Sequence, residues 1–175
     1  MQQGHTFRMK VLIIRHGKAE DRPLLSLSAK KDATRALTET GRREMRKAAK
    51  GLRKLAPDID VLAASPLVRA RETAEIVAKV FGVNGIVEQA LLSPGASPPA
   101  LLDWLEEQPP DNTVALVGHE PDLSHLASWL LSGNGSSFVT LRKGACALIE
   151  FDGKPGAGRG VLAWLLQPGQ LRKVD

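Results

Sequence analysis

The sequence predicts a single three-layer α/β/α sandwich built on a mostly parallel sheet. Two observations predict it. Short apolar, β-branched runs alternate with amphipathic stretches of roughly 10 to 15 residues, the spacing of βαβ units, whose crossovers put helices on both faces of a sheet. Three of these runs also end abruptly in a conspicuous polar group, as expected at the carboxyl edge of such a sheet, where ligands bind. A chain of 175 residues with 43% hydrophobic residues can bury an ordinary core without disulfides or a structural metal. Residues 9–175 are read as that one domain, and residues 1–8 as a flexible polar lead.

Met9 to Ile14 (MKVLII) is the first strand, stopping at Arg15-His16-Gly17. Residues 18–34, polar and carrying Pro23, read as a loop. A helix follows, with Met45, Ala48, Ala49, Leu52 and Leu55 on one stripe and Arg42, Arg43, Arg46, Lys47, Lys50, Arg53 and Lys54 off it. Pro57 ends it. Asp60 to Ala64 is the second strand, and Ser65-Pro66 reads as a helix N-cap with proline in the first turn. Leu67, Ala70, Ala74, Val77 and Phe81 then mark a buried helix face that Gly82 closes. A weak strand at Gly85 to Val87, a Ser/Pro-rich loop and a helix at about Ala100 to Glu107 lead to the strand Thr113 to Val117, which ends at Gly118-His119. The next helix runs from Asp122 to the Gly133-Asn134-Gly135 break, and strands at about Ala145 to Phe151 and Gly160 to Leu166 flank a turn-rich GKPGAGRG hairpin connection.

Composition narrows the function classes. Lys plus Arg number 24 against 19 for Asp plus Glu, a net charge of +5 that favours anionic partners. Aromatics are 4% with no Tyr, which counts against base-stacking platforms, and no nucleic-acid partner is expected. The lone Cys146 lies in an apolar run and reads as a buried thiol. Neither a signal-like apolar stretch nor a run of about 18 apolar residues occurs, so the expectation is a soluble, cytoplasmic protein with no membrane partner.

The three strand ends bring together two histidines and two arginines, a set suited to a tetrahedral dianion. Arg15 and Arg69 offer planar forks that match phosphate oxygens and stay charged. A neutral His16 can attack phosphorus through a ring nitrogen, a protonated His119 can hold the transferring oxygens, and Gly17 lets backbone approach. Phosphoryl transfer needs mainly positioning and charge neutralisation, which these groups supply without a metal.

Arg15-His16-Gly17, Ser65-Pro66-Leu67-Val68-Arg69-Ala70-Arg71-Glu72-Thr73-Ala74 and Gly118-His119, in that order at strand ends, resemble the histidine phosphatase superfamily. The short length, Leu37-Thr38-x-x-Gly41, Gly118-His119-Glu120-Pro121 and the closing Trp164-Leu165-Leu166-Gln167-Pro168-Gly169 look most like its SixA-type phosphohistidine phosphatases, over about residues 9 to 170. The resemblance implies a phosphoglycerate mutase-like fold and no cofactor or metal. It makes His16 a transiently phosphorylated nucleophile, with Arg15, Gly17, Arg69 and His119 around the phosphate. It also implies that the chain is too short for the segments that carry an acidic proton donor in larger members. A phosphohistidine substrate asks little of such a donor, because its P–N bond becomes labile once the imidazole is protonated. Glu120 is the first candidate general acid, with Glu20, Asp21 and Glu72 behind it.

The expected substrate is therefore phosphohistidine on a protein, a phosphotransfer domain or phosphocarrier, met by a monomer or dimer. A small phosphate ester or sugar phosphate is the alternative, since the motifs report the transferring group and not the leaving group. A binding module without turnover, for phosphate or nucleic acid, is a remote third reading, opposed by the intact quartet. Taken singly the residues have duller roles. Ser65 reads as the N-cap and not a nucleophile, Arg71 as an ion-pairing residue, and His125 as too poorly supported for a zinc pair with His119. His5, in the lead, needs no role.

Overall fold

The computed structural model describes residues 9–21 and 32–174. The N-terminal lead with His5, residues 22–31 of the expected loop and residue 175 lie outside the described residues. The chain runs β1 (Met9–Arg15), α1 (Glu39–Leu55), β2 (Val61–Ala64), α2 (Val68–Phe81), β3 (Val87–Glu88), a 3-10 turn at Ala90–Leu92, α3 (Pro98–Glu106), β4 (Thr113–Gly118), α4 (Asp122–Ser132), β5 (Cys146–Phe151), β6 (Val161–Leu166) and a short α5 (Pro168–Leu171). One sheet holds the strands in the order β3-β2-β4-β1-β5-β6. The first four of that order are parallel; β5 and β6 are antiparallel, joined by the expected hairpin connection.

Strand side chains alternate between two cores, which is why the central strands are apolar throughout. Val11 and Ile13 of β1 face α3 and α4, packing with Leu105, Leu126 and Leu130. Leu12 and Ile14 face α1 and α2, packing with Met45, Leu52, Ala74 and Val77. This is the three-layer α/β fold the sequence predicts. Helix α1 starts where Thr38 Oγ1 accepts the Gly41 amide at 2.9 Å, and α2 ends at Gly82 in the left-handed region, φ 73°.

Three local expectations change. Helix α2 begins at Val68, with Leu67 at the cap position and no side-chain cap bond, so Ser65-Pro66 precedes the helix. Leu55, read as part of the buried stripe, is 42% exposed because it lies at the end of α1. Helix α3 starts at Pro98, two residues early, since prolines fit the first turn where amides have no intrahelical partner. No described helix is long and apolar enough to cross a membrane. Cys146 is fully buried, and burial pushes its thiol up.

Candidate active site

The ladder register builds the site. In the parallel pair β1–β4, Arg15 lies opposite Gly118, and the His16 amide donates to the Gly118 carbonyl at 3.1 Å, so the next residues, His16 and His119, emerge side by side. Their ring centroids are 5.0 Å apart, with planes tilted by 56°. On the other flank of β4, Ala64 pairs with Val117 and the Ser65 amide donates to the Val117 carbonyl, which brings Ser65 against His119. Ser65 Oγ and His119 Nε2 are 2.9 Å apart. The residue expected to cap α2 instead binds the imidazole.

Both histidines are buried. His16 Nδ1 lies 2.7 Å from the Gly17 carbonyl. A carbonyl oxygen only accepts, so Nδ1 carries the proton and Nε2 the lone pair. Burial pushes the His16 pKa down to about 4, with Arg69, Arg15 and Lys143 acting in the same direction against the Gly17 bond. The ring is therefore neutral at pH 7, with Nε2 available as a nucleophile. His119 is pushed down to about 3, first by burial and then by His16 and Arg69, with Asp32 opposing. Burial and the neighbouring cations thus hold His119 neutral, whereas the sequence reading expected it protonated. Ser65 Oγ accepts from the Leu67 amide at 3.3 Å and can direct its own hydrogen to His119 Nε2. His119 Nδ1 then bears the proton; it is buried and has no hydrogen-bond partner among the described residues.

Arg15, His16, Arg69 and His119 line one cavity of about 230 Å³, together with Glu120 and Asp32. Arg35 and Lys143 complete its charged lining, so four cationic side chains face two carboxylates, an excess suited to a dianion. Arg15 donates to the Leu141 carbonyl at 2.6 Å, which orients its fork; its Nε is buried without a partner among the described residues. Arg69, 4% exposed at the start of α2, donates to the Asp32 carbonyl at 2.8 Å and pairs with Asp32 Oδ2 at 3.0 Å. Burial works against the Asp32 carboxylate, but Arg69 and Arg35 outweigh it and hold its pKa below the usual range. Glu120 shifts the other way: burial raises its pKa, against a hydrogen bond from Ser124 and the charge of Arg15. A carboxyl with raised pKa beside the histidines can hold a proton.

Other sequence candidates lie elsewhere. Glu72 accepts from the Leu37 amide and pairs with Arg42, both at 2.5 Å, so it is committed to anchoring α1. Glu20 and Asp21 are exposed and do not line the cavity. The Gly17 amide donates to Thr73 Oγ1 at 3.1 Å and the residue packs on Leu37 and Met45, so its backbone N–H is turned to α2 and not to a phosphate. Arg71 and His125 are exposed, and no three metal-ligating side chains cluster among the described residues. Asp32 and Lys143 escaped the sequence reading. Both arrive on connections remote from the strand-end motifs, and nothing local marks them.

With this geometry in view, comparison with known proteins gives a consistent result. The model of the histidine phosphatase superfamily (branch 1) matches residues 11–92. An uncharacterized protein of Picosynechococcus sp. is 37% identical over 138 residues, 77% of this chain and 81% of that protein. The phosphohistidine phosphatase SixA of Escherichia coli (strain K12) is 27% identical over 167 residues, 94% of this chain and 97% of that protein. The solved structure of the protein histidine phosphatase SixA complexed with tungstate superposes with a TM-score of 0.78 at 25% identity, covering 93% of this chain and 99% of that one. A mycobacterial glucosyl-3-phosphoglycerate phosphatase shares the fold at a TM-score of 0.66 and 18% identity, covering 88% and 96%.

Proposed function

Because this chain belongs to the histidine phosphatase superfamily and is a phosphatase, we propose that it hydrolyses phosphohistidine on a protein, without a metal, through a phosphorylated His16. The likeness to SixA over nearly the whole length of both chains carries this reading. The geometry supplies the chemistry. His16 Nε2 bonds to phosphorus as the P–N bond of the substrate breaks, and the substrate imidazole, protonated on its other ring nitrogen, leaves neutral. Arg15, Arg69 and the His119 Nδ1–H hold the transferring oxygens. Water then attacks phospho-His16, and one of its protons passes to Glu120 or to the phosphate. His16 departs neutral because its Nδ1 already carries the proton given to the Gly17 carbonyl.

One observation favours a second reading, hydrolysis of a small phosphate ester. Glu120 is a cavity carboxyl with a raised pKa, as protonation of an alkoxide leaving group requires. Turnover of a phosphohistidine protein and of a panel of sugar and aryl phosphates, without added metal, decides between them. We expect fast release from phosphohistidine, slow release from esters, and none from either with His16→Ala. Preference for an ester would move the function to that second class, and turnover surviving His16→Ala would overturn the mechanism.

A further inference from the structure

The catalytic cavity does not end at its own walls. Lys143, on its rim, also lines a narrow cleft with Lys18, Glu44 and Arg172. That cleft shares Pro168 and Arg172 with a shallow depression of about 630 Å³, which adds Arg142 and Lys173. The three hollows share lining residues in series from the phosphate pocket to α5, and together they are taken as one furrow. Its floor is tied together: the Gly144 amide donates to the Arg15 and His16 carbonyls at 3.1 Å, Gln167 Oε1 accepts the Arg142 amide at 3.0 Å, and Gln167 Nε2 donates to the Thr140 carbonyl at 2.8 Å. Lys18, Arg142, Lys143, Arg172 and Lys173 are all exposed along it. The one carboxylate lining these two outer hollows, Glu44, is 4.0 Å from Arg172.

The larger groove between α1 and α2, about 660 Å³, is different in kind. Glu72 and Glu75 face its four basic side chains, and none of its lining residues lines the catalytic cavity. The charge that is both unbalanced and continuous with the chemistry lies in the furrow.

We propose that this furrow docks the acidic surface surrounding the phosphohistidine of the protein substrate; the inference rests on the function proposed above. A row of exposed cations leading to a phosphoryl pocket matches carboxylates flanking a phosphorylated side chain, and it raises encounter rate and fixes orientation. No aromatic ring lines the two outer hollows to stack bases, so a protein fits them better than a nucleic acid.

The test is the double charge reversal Arg142→Glu, Lys173→Glu, which leaves the lining of the catalytic cavity intact. Steady-state kinetics are measured on a histidine-phosphorylated carrier protein of net negative charge and on free phosphohistidine. We expect KM for the protein to rise about tenfold or more, with kcat and turnover of free phosphohistidine within about twofold of the unmodified chain. Added salt should raise KM of the unmodified chain more steeply than that of the variant. The milder Arg142→Gln, Lys173→Gln pair should give an intermediate effect. An unchanged KM for the protein, an equal loss on both substrates in both variants, or inhibition by a DNA duplex as strong as by the unphosphorylated carrier would overturn the furrow. Absence of phosphate release from either phosphohistidine substrate by the unmodified chain would instead overturn the proposed function itself.

Discussion

Ser65 Oγ holds His119 Nε2 at 2.9 Å across the carboxyl ends of β2 and β4. The serine thereby selects which ring nitrogen of the second histidine faces the protein and which is left to donate. Ser65→Ala should lower kcat/KM at least about tenfold and weaken tungstate binding, because the imidazole loses its fixed tautomer. It should also cost about 1 to 3 kcal/mol of stability by leaving a buried nitrogen unpaired. Ser65→Thr, which keeps the hydroxyl, should recover much of the activity. Equal activity in the alanine variant would remove Ser65 from the site.

The two histidines should titrate far below a free imidazole. Nitrogen-15 NMR in phosphate-free buffer should find midpoints of about 4 for His16 and about 3 for His119, with His16 as the Nδ1–H tautomer. A midpoint above 6 for either ring would contradict the buried neutral pair.

Stability follows from the same shifts. The folded state prefers neutral rings, so between pH 6.5 and 3 the unfolded chain binds more protons, and stability is lost as pH falls. The His16 contribution alone is on the order of 3 kcal/mol by pH 4. Urea unfolding of a His16→Gln, His119→Gln double variant should show a flatter pH dependence between pH 7 and 5 than the unmodified chain, where carboxylates contribute little.

Glu120 can be assigned by the leaving group it serves. Glu120→Gln should slow hydrolysis of an alkyl phosphate by about a hundredfold while changing phosphohistidine turnover only a few-fold. Parallel losses on both would make it a general positioning group.

Helix α1 passes beneath the Lys18 carbonyl at Gly41, where a Cβ would lie 2.0 Å from that oxygen. Gly41→Ala must push helix and strand end apart, so we expect a loss of about 1 to 3 kcal/mol in chemical denaturation. Gly135→Ala, where a Cβ meets nothing within 4 Å, is the matched control and should be nearly silent.

What the sequence discloses about this site depends on how far each contact reaches. Arg15, His16 and His119 are legible because they stand at the ends of apolar strands, and Arg69 because it lies in the first turn of a helix five residues after one. Local pattern fixes all four. Ser65 was misread for a related reason: Ser-Pro before an amphipathic stretch is a good local cap signal, and only pairing of β2 with β4 turns the hydroxyl to an imidazole 54 positions away. Asp32 reaches Arg69 across 37 positions, and the Leu141 carbonyl reaches Arg15 across 126. No periodicity encodes such meetings. The antiparallel β5 and β6 were legible as strands, but their direction emerges only from the completed sheet.

The Asp32–Arg69 pair also bears on how the catalytic cycle closes. An arginine already holding an aspartate gives an arriving phosphoryl group an exchange of anions in place of an uncompensated charge, so its grip is a difference between two strong attractions. Asp32 stays in the lining of the same cavity, so inorganic phosphate on its way out meets the carboxylate that competed with the substrate on its way in.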